Sequence, residues 1–174
     1  TGVMEIRDVV PTTSPSMDIQ ISSNLERLLF EVLGRDGAAV AELMGRFRAD
    51  GSVSVDVDVL DQLRGEFDCG RLDDESAAEV IRHVHGRTGM LLDPHTAVGV
   101  GVAEAMGGDP SIPVVALATA HPAKFPDAVE AATGVRPPLP EHLADLFERT
   151  ERIERSTADL AAVEALVRAG LAAR

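Results

Sequence analysis

Five consecutive apolar residues, Val114-Val115-Ala116-Leu117-Ala118, stop at the hydroxyl of Thr119, and His121 and Pro122 follow before a helical pattern begins. An uninterrupted apolar run bounded by turn signals, here Gly107-Gly108-Asp109-Pro110 upstream, reads as a strand buried on both faces. Such strands belong to open α/β sheets, in which groups at the carboxyl ends of strands line the ligand crevice. The pattern therefore predicts a strand over residues 113–118 and a helix from about Pro122 to Thr133, stopped by Gly134. Thr119 sits at the junction, and its hydroxyl has two uses open to it. It can cap the helix that follows, or it can face a ligand in the cleft.

The remaining pattern is mostly helical. Leu25, Leu28, Leu29, Val32 and Leu33 recur at the spacing of one buried helix face, with Ser22 or Ser23 as cap and Gly34 as stop. Asp36 opens a second helix with the apolar face Val40, Leu43, Met44 and Phe47. Asp73 or Asp74 opens another, carrying Val80, Ile81 and Val84 and ending at Gly89. Asp93-Pro94 places a cap and an N1 proline in their expected order. Ala97, Val98, Val102, Ala105 and Met106 are expected on one side of that helix. Met4 to Val10 reads as a strand, and Val53, Val55, Val57 and Val59 alternate as a second one does, before a helical stretch from Leu60 to Phe67. Glu141 to Arg149 reads as a short helix. Ser156 with Asp159 resembles a capping box that launches the last helix, ending near Leu171. The fold class is α/β, helix-rich, with a few strands of an open sheet.

Charge and residue usage exclude several functions. A formal charge of −13 offers no basic surface to phosphate backbones, so nucleic acid is not an expected partner. The apolar runs are far too short to cross a membrane. Cys69 is the single cysteine, which rules out an intrachain disulfide and makes a reducing, cytoplasmic compartment the expectation. Of 16 basic residues only Lys124 is a lysine, so chemistry that needs a lysine amine has one candidate in these 174 residues.

Other candidate sites weaken on inspection. His83 and His85 are two apart on a predicted helix and point about 200° apart, so neither they nor Cys69 are expected to hold a metal. Gly99-Val100-Gly101 has Glu104 where a dinucleotide loop needs its third glycine, and it lies inside a helical pattern, so close helix packing is the expectation. No GxSxG elbow occurs. His95 and Thr96 follow the Asp93 cap at a helix N-terminus, where either capping alone or an anion would account for them. Asp18, Ser22, Ser23, Asn24 and Arg27 cluster at another helix start, with the same two readings.

Three blocks then carry a family resemblance. They are Ser14-Pro-Ser-Met-Asp18-Ile-Gln-Ile-Ser22-Ser-Asn24 running into Glu26-Arg27, Gly89-Met-Leu-Leu-Asp93-Pro-His95-Thr-Ala-Val98, and Ala118-Thr119-Ala-His121-Pro-Ala-Lys124-Phe125-Pro-Asp-Ala-Val129. In that order, with Leu139-Pro140-Glu141 and two helices after them, they resemble the pyridoxal-phosphate-dependent threonine synthases of bacteria and fungi. The THPAKF-like block is the specific one. The resemblance implies the fold-type-II architecture, pyridoxal 5′-phosphate as cofactor, and conversion of O-phospho-L-homoserine and water to L-threonine and phosphate. It assigns Thr119 to the pyridine nitrogen of the cofactor. Ser22, Asn24 and Arg27, at a helix start that suits a phosphate or carboxylate, and His121 and Lys124 are the candidate substrate contacts.

The family's Schiff-base lysine and its glycine-rich phosphate cradle belong to an N-terminal half that nothing here matches. Lys124 falls within the family's HPAK segment and is not expected to replace that lysine. The expectation is thus a C-terminal portion, residues 1–174 as one unit, partnered by that missing half and inactive alone. Two alternatives stay open: a threonine-synthase-like phospho-lyase that turns the same substrate into an α-keto acid, and a non-catalytic folded fragment or binding module.

Overall fold

The computed structural model describes residues 1–172, and the chain's contacts cluster in two units, Thr1–Pro138 and a second one beginning at Leu139. The sequence alone gave no sign of a division at that point beyond the prolines around it.

The first unit opens with β1 (Val3–Glu5), followed after a long loop by α1 (Ser23–Val32), α2 (Gly37–Asp50) and β2 (Ser52–Ser54). The strands pair antiparallel, with Met4 opposite Val53. One further bond at each end, Val55 N–H to the Gly2 carbonyl and Ile6 N–H to the Gly51 carbonyl, lengthens this short ladder. Both strands are shorter than the sequence implied. Residues 7–10 leave the ladder, and the valine alternation ends at Val55 because Asp56 precedes a helix, α3 (Val57–Glu66). Leu29 of α1, Leu43, Met44 and Phe47 of α2 and Val53 of β2 are all buried and form one core. The faces predicted for α1 and α2 are the ones that meet there.

A second core lies among α4 (Asp74–Thr88), α5 (Pro94–Met106) and α6 (Pro126–Thr133), built on Ile81, Leu92, Ala97 and Ala132. Aspartates cap the starts of α2, α4 and α5. Asp36 accepts from the amides of Ala38 and Ala39 at 2.9 and 3.1 Å, and Asp73 accepts from that of Ser76 at 2.9 Å. Gly89 and Gly134 end α4 and α6 in the left-handed conformation, as their positions implied. The apolar side of α5 is differently composed from the expectation: Ala97 and Gly101 are buried, whereas Ala105 and Met106 are exposed. Gly101 is the close approach. A Cβ there would lie 2.5 Å from Leu72 Cδ1 and 3.0 Å from Val80 Cγ2, whereas one on Gly99 would meet nothing.

The predicted strand 113–118 does not form. Val114, Val115 and Leu117 are 68%, 78% and 74% exposed, and the segment carries no ladder bonds. The physical reason is the lack of a neighbour. A strand buried on both faces needs strands beside it and helices above and below, and among the described residues the only two strands pair with each other. Alternate residues Ile112, Val114 and Ala116 instead line one wall of an open groove of about 370 Å³ opposite Val100, Ala103 and Gly107.

The helix expected from Pro122 is split. Pro122–Lys124 forms a 3₁₀ turn, and α6 starts only at Pro126. A proline at 126 has no N–H to continue a helix from the preceding turn.

In the second unit the short helix 141–149 is likewise replaced by two 3₁₀ turns, Glu141–Leu143 and Leu146–Glu148. Nine mostly exposed residues are too few to offset the cost of α-helix nucleation. The last helix, α7 (Leu160–Ala172), begins later than the Ser156 cap predicted. Asp159 takes that role, accepting from the Ala162 amide at 3.0 Å. No helix among the described residues is long and apolar enough to cross a membrane.

Candidate functional site

Asp93, His95 and Thr96 are 1%, 6% and 4% exposed, which is unusual for polar side chains and asks for a full account of their hydrogen bonds. Asp93 Oδ1 accepts from the His95 amide at 2.9 Å and the Thr96 amide at 3.4 Å, which caps α5. The same oxygen lies 3.0 Å from His95 Nδ1. Asp93 Oδ2 accepts from the Thr96 hydroxyl. These helix-start donors are thus taken by Asp93, and the structure favours the capping reading over an anion there.

The two histidine nitrogens have separable roles. The Ser16 amide donates to His95 Nε2 at 3.1 Å, so Nε2 carries a lone pair and Nδ1 carries the proton that Asp93 accepts. The ring also packs against Phe125, with centroids 4.7 Å apart. Thr96 completes the node: having donated to Asp93, its oxygen accepts from the Thr119 amide at 3.2 Å. Ser16, Asp93-His95-Thr96 and Thr119 come from three separate stretches of sequence, and they are the same three blocks that carried the resemblance. Nothing in local periodicity could join Ser16 to His95, because 79 residues separate them.

Thr119 itself is exposed and precedes the 3₁₀ turn. His121 caps that turn, its Nδ1 accepting from the Ala123 amide at 3.1 Å. Capping was one of the two uses open to the Thr119 hydroxyl, and it falls to His121 instead. Among the described residues that hydroxyl meets no protein hydrogen-bond partner. Lys124 is exposed, with its ammonium 5.9 Å from the centre of the Phe125 ring.

Among the described residues, the other candidates make no side-chain hydrogen bond to this node. Ser22 is the N-cap residue of α1 but makes no side-chain cap bond. Asn24 Oδ1 accepts from the Arg27 guanidinium within the same helix. No hydrogen bond among the described residues joins Ser22, Asn24 or Arg27 to His121 or Lys124. Asp18 accepts from the Thr12 amide at 2.7 Å and from its hydroxyl at 2.8 Å, which closes the loop before α1.

Comparison with known proteins places the fold of the chain. The chain superposes on a crystal structure of pyridoxal-phosphate-bound threonine synthase from Brucella melitensis with a TM-score of 0.83 and 50% identity, over 97% of this chain and 36% of that one. It also superposes on the threonine synthase of yeast with a TM-score of 0.80 and 33% identity, over 99% of this chain and 39% of that one. The architecture is therefore that of the C-terminal part of a fold-type-II α/β enzyme.

The sequence narrows this further. Residues 96–167 match the family model described as threonine synthase, C-terminal. The threonine synthase of Pseudomonas aeruginosa is 51% identical over 158 residues, which cover 90% of this chain. The chain is similar to the C-terminal part of threonine synthases over nearly its whole length. It spans about a third of that relative's length, 34%.

Proposed function

We propose that this chain acts as the C-terminal part of a threonine synthase in the cytoplasm, converting O-phospho-L-homoserine and water to L-threonine and phosphate. The observation that carries the reading is the state of Thr119: an exposed hydroxyl without a protein partner, on a backbone whose amide is held by a buried polar node. Bound pyridoxal 5′-phosphate supplies an electron sink that lets protons leave the substrate's α and β carbons and phosphate leave the γ carbon.

Thr119 fits the pyridine-nitrogen side of that cofactor. Its hydroxyl can donate to a neutral ring nitrogen, and unlike a carboxylate it does not enforce protonation there. Lys124 does not suit the covalent attachment. Its amine is exposed beside an aromatic ring, and it falls within the HPAK segment rather than in the part of the family that carries the covalent lysine. The Schiff-base lysine and the phosphate cradle are assigned to the two thirds of the family's length that this chain does not span, and so are the partners of segment 113–118. His121 and Lys124, close to Thr119 in sequence and exposed, are the candidate contacts for an anionic substrate group. Ser22, Asn24 and Arg27 have weaker support, since Arg27 is engaged by Asn24 within α1.

The test is a product assay on the full-length protein with O-phospho-L-homoserine. Threonine and inorganic phosphate in equal amounts are expected. An α-keto acid in place of threonine would replace this reading with that of a phospho-lyase. Thr119→Val should lower turnover roughly fivefold, the equivalent of one hydrogen bond of about 1 kcal/mol. Unchanged turnover and an unchanged cofactor spectrum would remove Thr119 from the site.

A further inference from the structure

We infer that Thr96 is a positioning residue for the cofactor site, fixing the place of the Thr119 hydroxyl through the Thr119 amide. The inference rests on the proposed contact between Thr119 and the cofactor. Capping of α5 requires only one oxygen of Asp93, since Oδ1 accepts from both the His95 and the Thr96 amides. The second oxygen, Oδ2, is committed to the Thr96 hydroxyl, and this bond does nothing for the helix start.

Its consequence is directional. A threonine hydroxyl has one proton, and once that proton points at Asp93 the oxygen can only accept. Thr119 N–H is the donor it accepts from, at 3.2 Å. The whole chain then runs one way: Ser16 N–H to His95 Nε2, His95 Nδ1–H to Asp93 Oδ1, and Thr119 N–H to Thr96 Oγ1, whose proton goes to Asp93 Oδ2.

This tether matters because of where Thr119 lies. Segment 113–119 has no regular secondary structure and is exposed throughout. Among the described residues, the bond to Thr96 is the only hydrogen bond linking residues 113–120 to another part of the chain. The hydroxyl that would meet the pyridine nitrogen is thus aimed by a residue 23 positions earlier in the sequence. Thr96 is nearly fully buried, so it acts through Thr119.

The experiment uses the full-length protein, stripped of cofactor and titrated with pyridoxal 5′-phosphate while absorbance and fluorescence are recorded. Hydrogen exchange of the peptide spanning residues 113–121 is followed in parallel. Thr96→Val keeps the side-chain shape and removes both hydrogen bonds. It should weaken cofactor binding roughly fivefold, the loss expected for one misplaced hydrogen bond, and speed exchange at Thr119. Thr96→Ser should restore both to within twofold of the parent protein. In the Thr119→Val background, Thr96→Val should cost nothing further, because a positioning residue has no effect once the group it positions is gone.

Multiplying losses in the double variant, or a Thr96→Val protein with parental affinity and exchange, would overturn the inference while leaving Thr119 at the cofactor. An unaltered cofactor affinity in Thr119→Val alone would overturn both. Should Thr96→Val not fold, Thr96→Ala leaves room for a water to satisfy Asp93 while still cutting the tether. The same outcomes then decide.

Discussion

Gly99 and Gly101 are two residues apart in α5 and occupy opposite environments, which makes them an internally controlled test of the packing described above. Replacing either by alanine relieves the same conformational penalty, since glycine in a helix interior is about 0.8–1 kcal/mol less favourable than alanine. At Gly99 a Cβ meets nothing within 4 Å, so the variant should be more stable by about that amount. At Gly101 the new Cβ would lie 2.5 Å from Leu72 Cδ1 and 3.0 Å from Val80 Cγ2, inside the range that forces movement. Leu72 is half-buried and can swing its terminal methyl aside, but Val80 is β-branched and held on α4. The overpacking cost should therefore fall near the lower end of the usual range, about 1–2 kcal/mol. Set against the helix gain, Gly101→Ala comes out between neutral and about 1 kcal/mol destabilising. The decisive quantity is the difference between the two variants, about 1–2 kcal/mol, because the propensity term cancels in it. Urea unfolding of the two proteins measures this directly, provided the slopes agree. Equal stabilities would mean that α5 does not approach Leu72 and α4 as closely as described, and the case for Gly101 as a packing glycine would fall.

Three further outcomes are expected. Asp36→Ala should destabilise by about 1 kcal/mol because two amides of α2 lose their acceptor, whereas Ser22→Ala at the uncapped start of α1 should change stability by less than about 0.5 kcal/mol; similar losses in chemical denaturation would refute the distinction. The Ser76 amide and hydroxyl hold the Asp73 carboxyl below its ordinary value of 3.8, so the folded state binds that proton less readily than the unfolded chain. Its stabilising contribution is complete above that value and is lost as the pH falls through the lowered folded one; acid unfolding of Asp73→Asn should show a shallower pH dependence below pH 4 than the parent protein, and identical curves would refute it. Finally, borohydride reduction of the cofactor-loaded full-length protein should label a lysine outside these 174 residues, and stoichiometric labelling of Lys124 would overturn the assignment of the covalent attachment.

What the sequence made legible was local and self-contained. Asp36, Asp73 and Asp93 are recognisable as helix starts because a short carboxylate reaches amides two or three residues on, with no help from the rest of the chain. Gly89 and Gly134 are recognisable as stops for a similar reason. The core faces of α1 and α2 follow from spacing alone. The Gly99-Gly101 pair was half legible: the sequence pointed to packing, but only the position of Leu72 and Val80 decides which glycine is pressed. The partners of the His95 ring were not legible. That ring is shared between a residue two positions away and another 79 positions away, and no pattern in the sequence encodes that second partner.

Segment 113–118 sharpens the same distinction, because there the pattern and the structure disagree and both are informative. A run of apolar side chains states that burial on two faces is favourable, at about 25 cal/mol per Å² of apolar area removed from water. It does not state what supplies the covering surface. Here Val114, Val115 and Leu117 remain more than two-thirds exposed, so that favourable free energy is not realised within the described chain. Yet Ile112, Val114 and Ala116 already share one side of the backbone, the alternation a strand requires, and Thr119 at the far end is tied to α5 by its amide. The segment is thus anchored at one end and patterned for pairing along its length. A charge placed at its middle, Val115→Asp, separates the two situations. In the 174-residue chain alone the substitution is on an exposed position and should shift stability by less than about 0.5 kcal/mol. In the full-length protein, where neighbouring strands are proposed to cover it, a buried unpaired carboxylate should cost several kcal/mol, on the order of 3–5. Parallel unfolding of both proteins gives the comparison, and an equally small effect in each would show that residues 113–118 are not a buried strand in either.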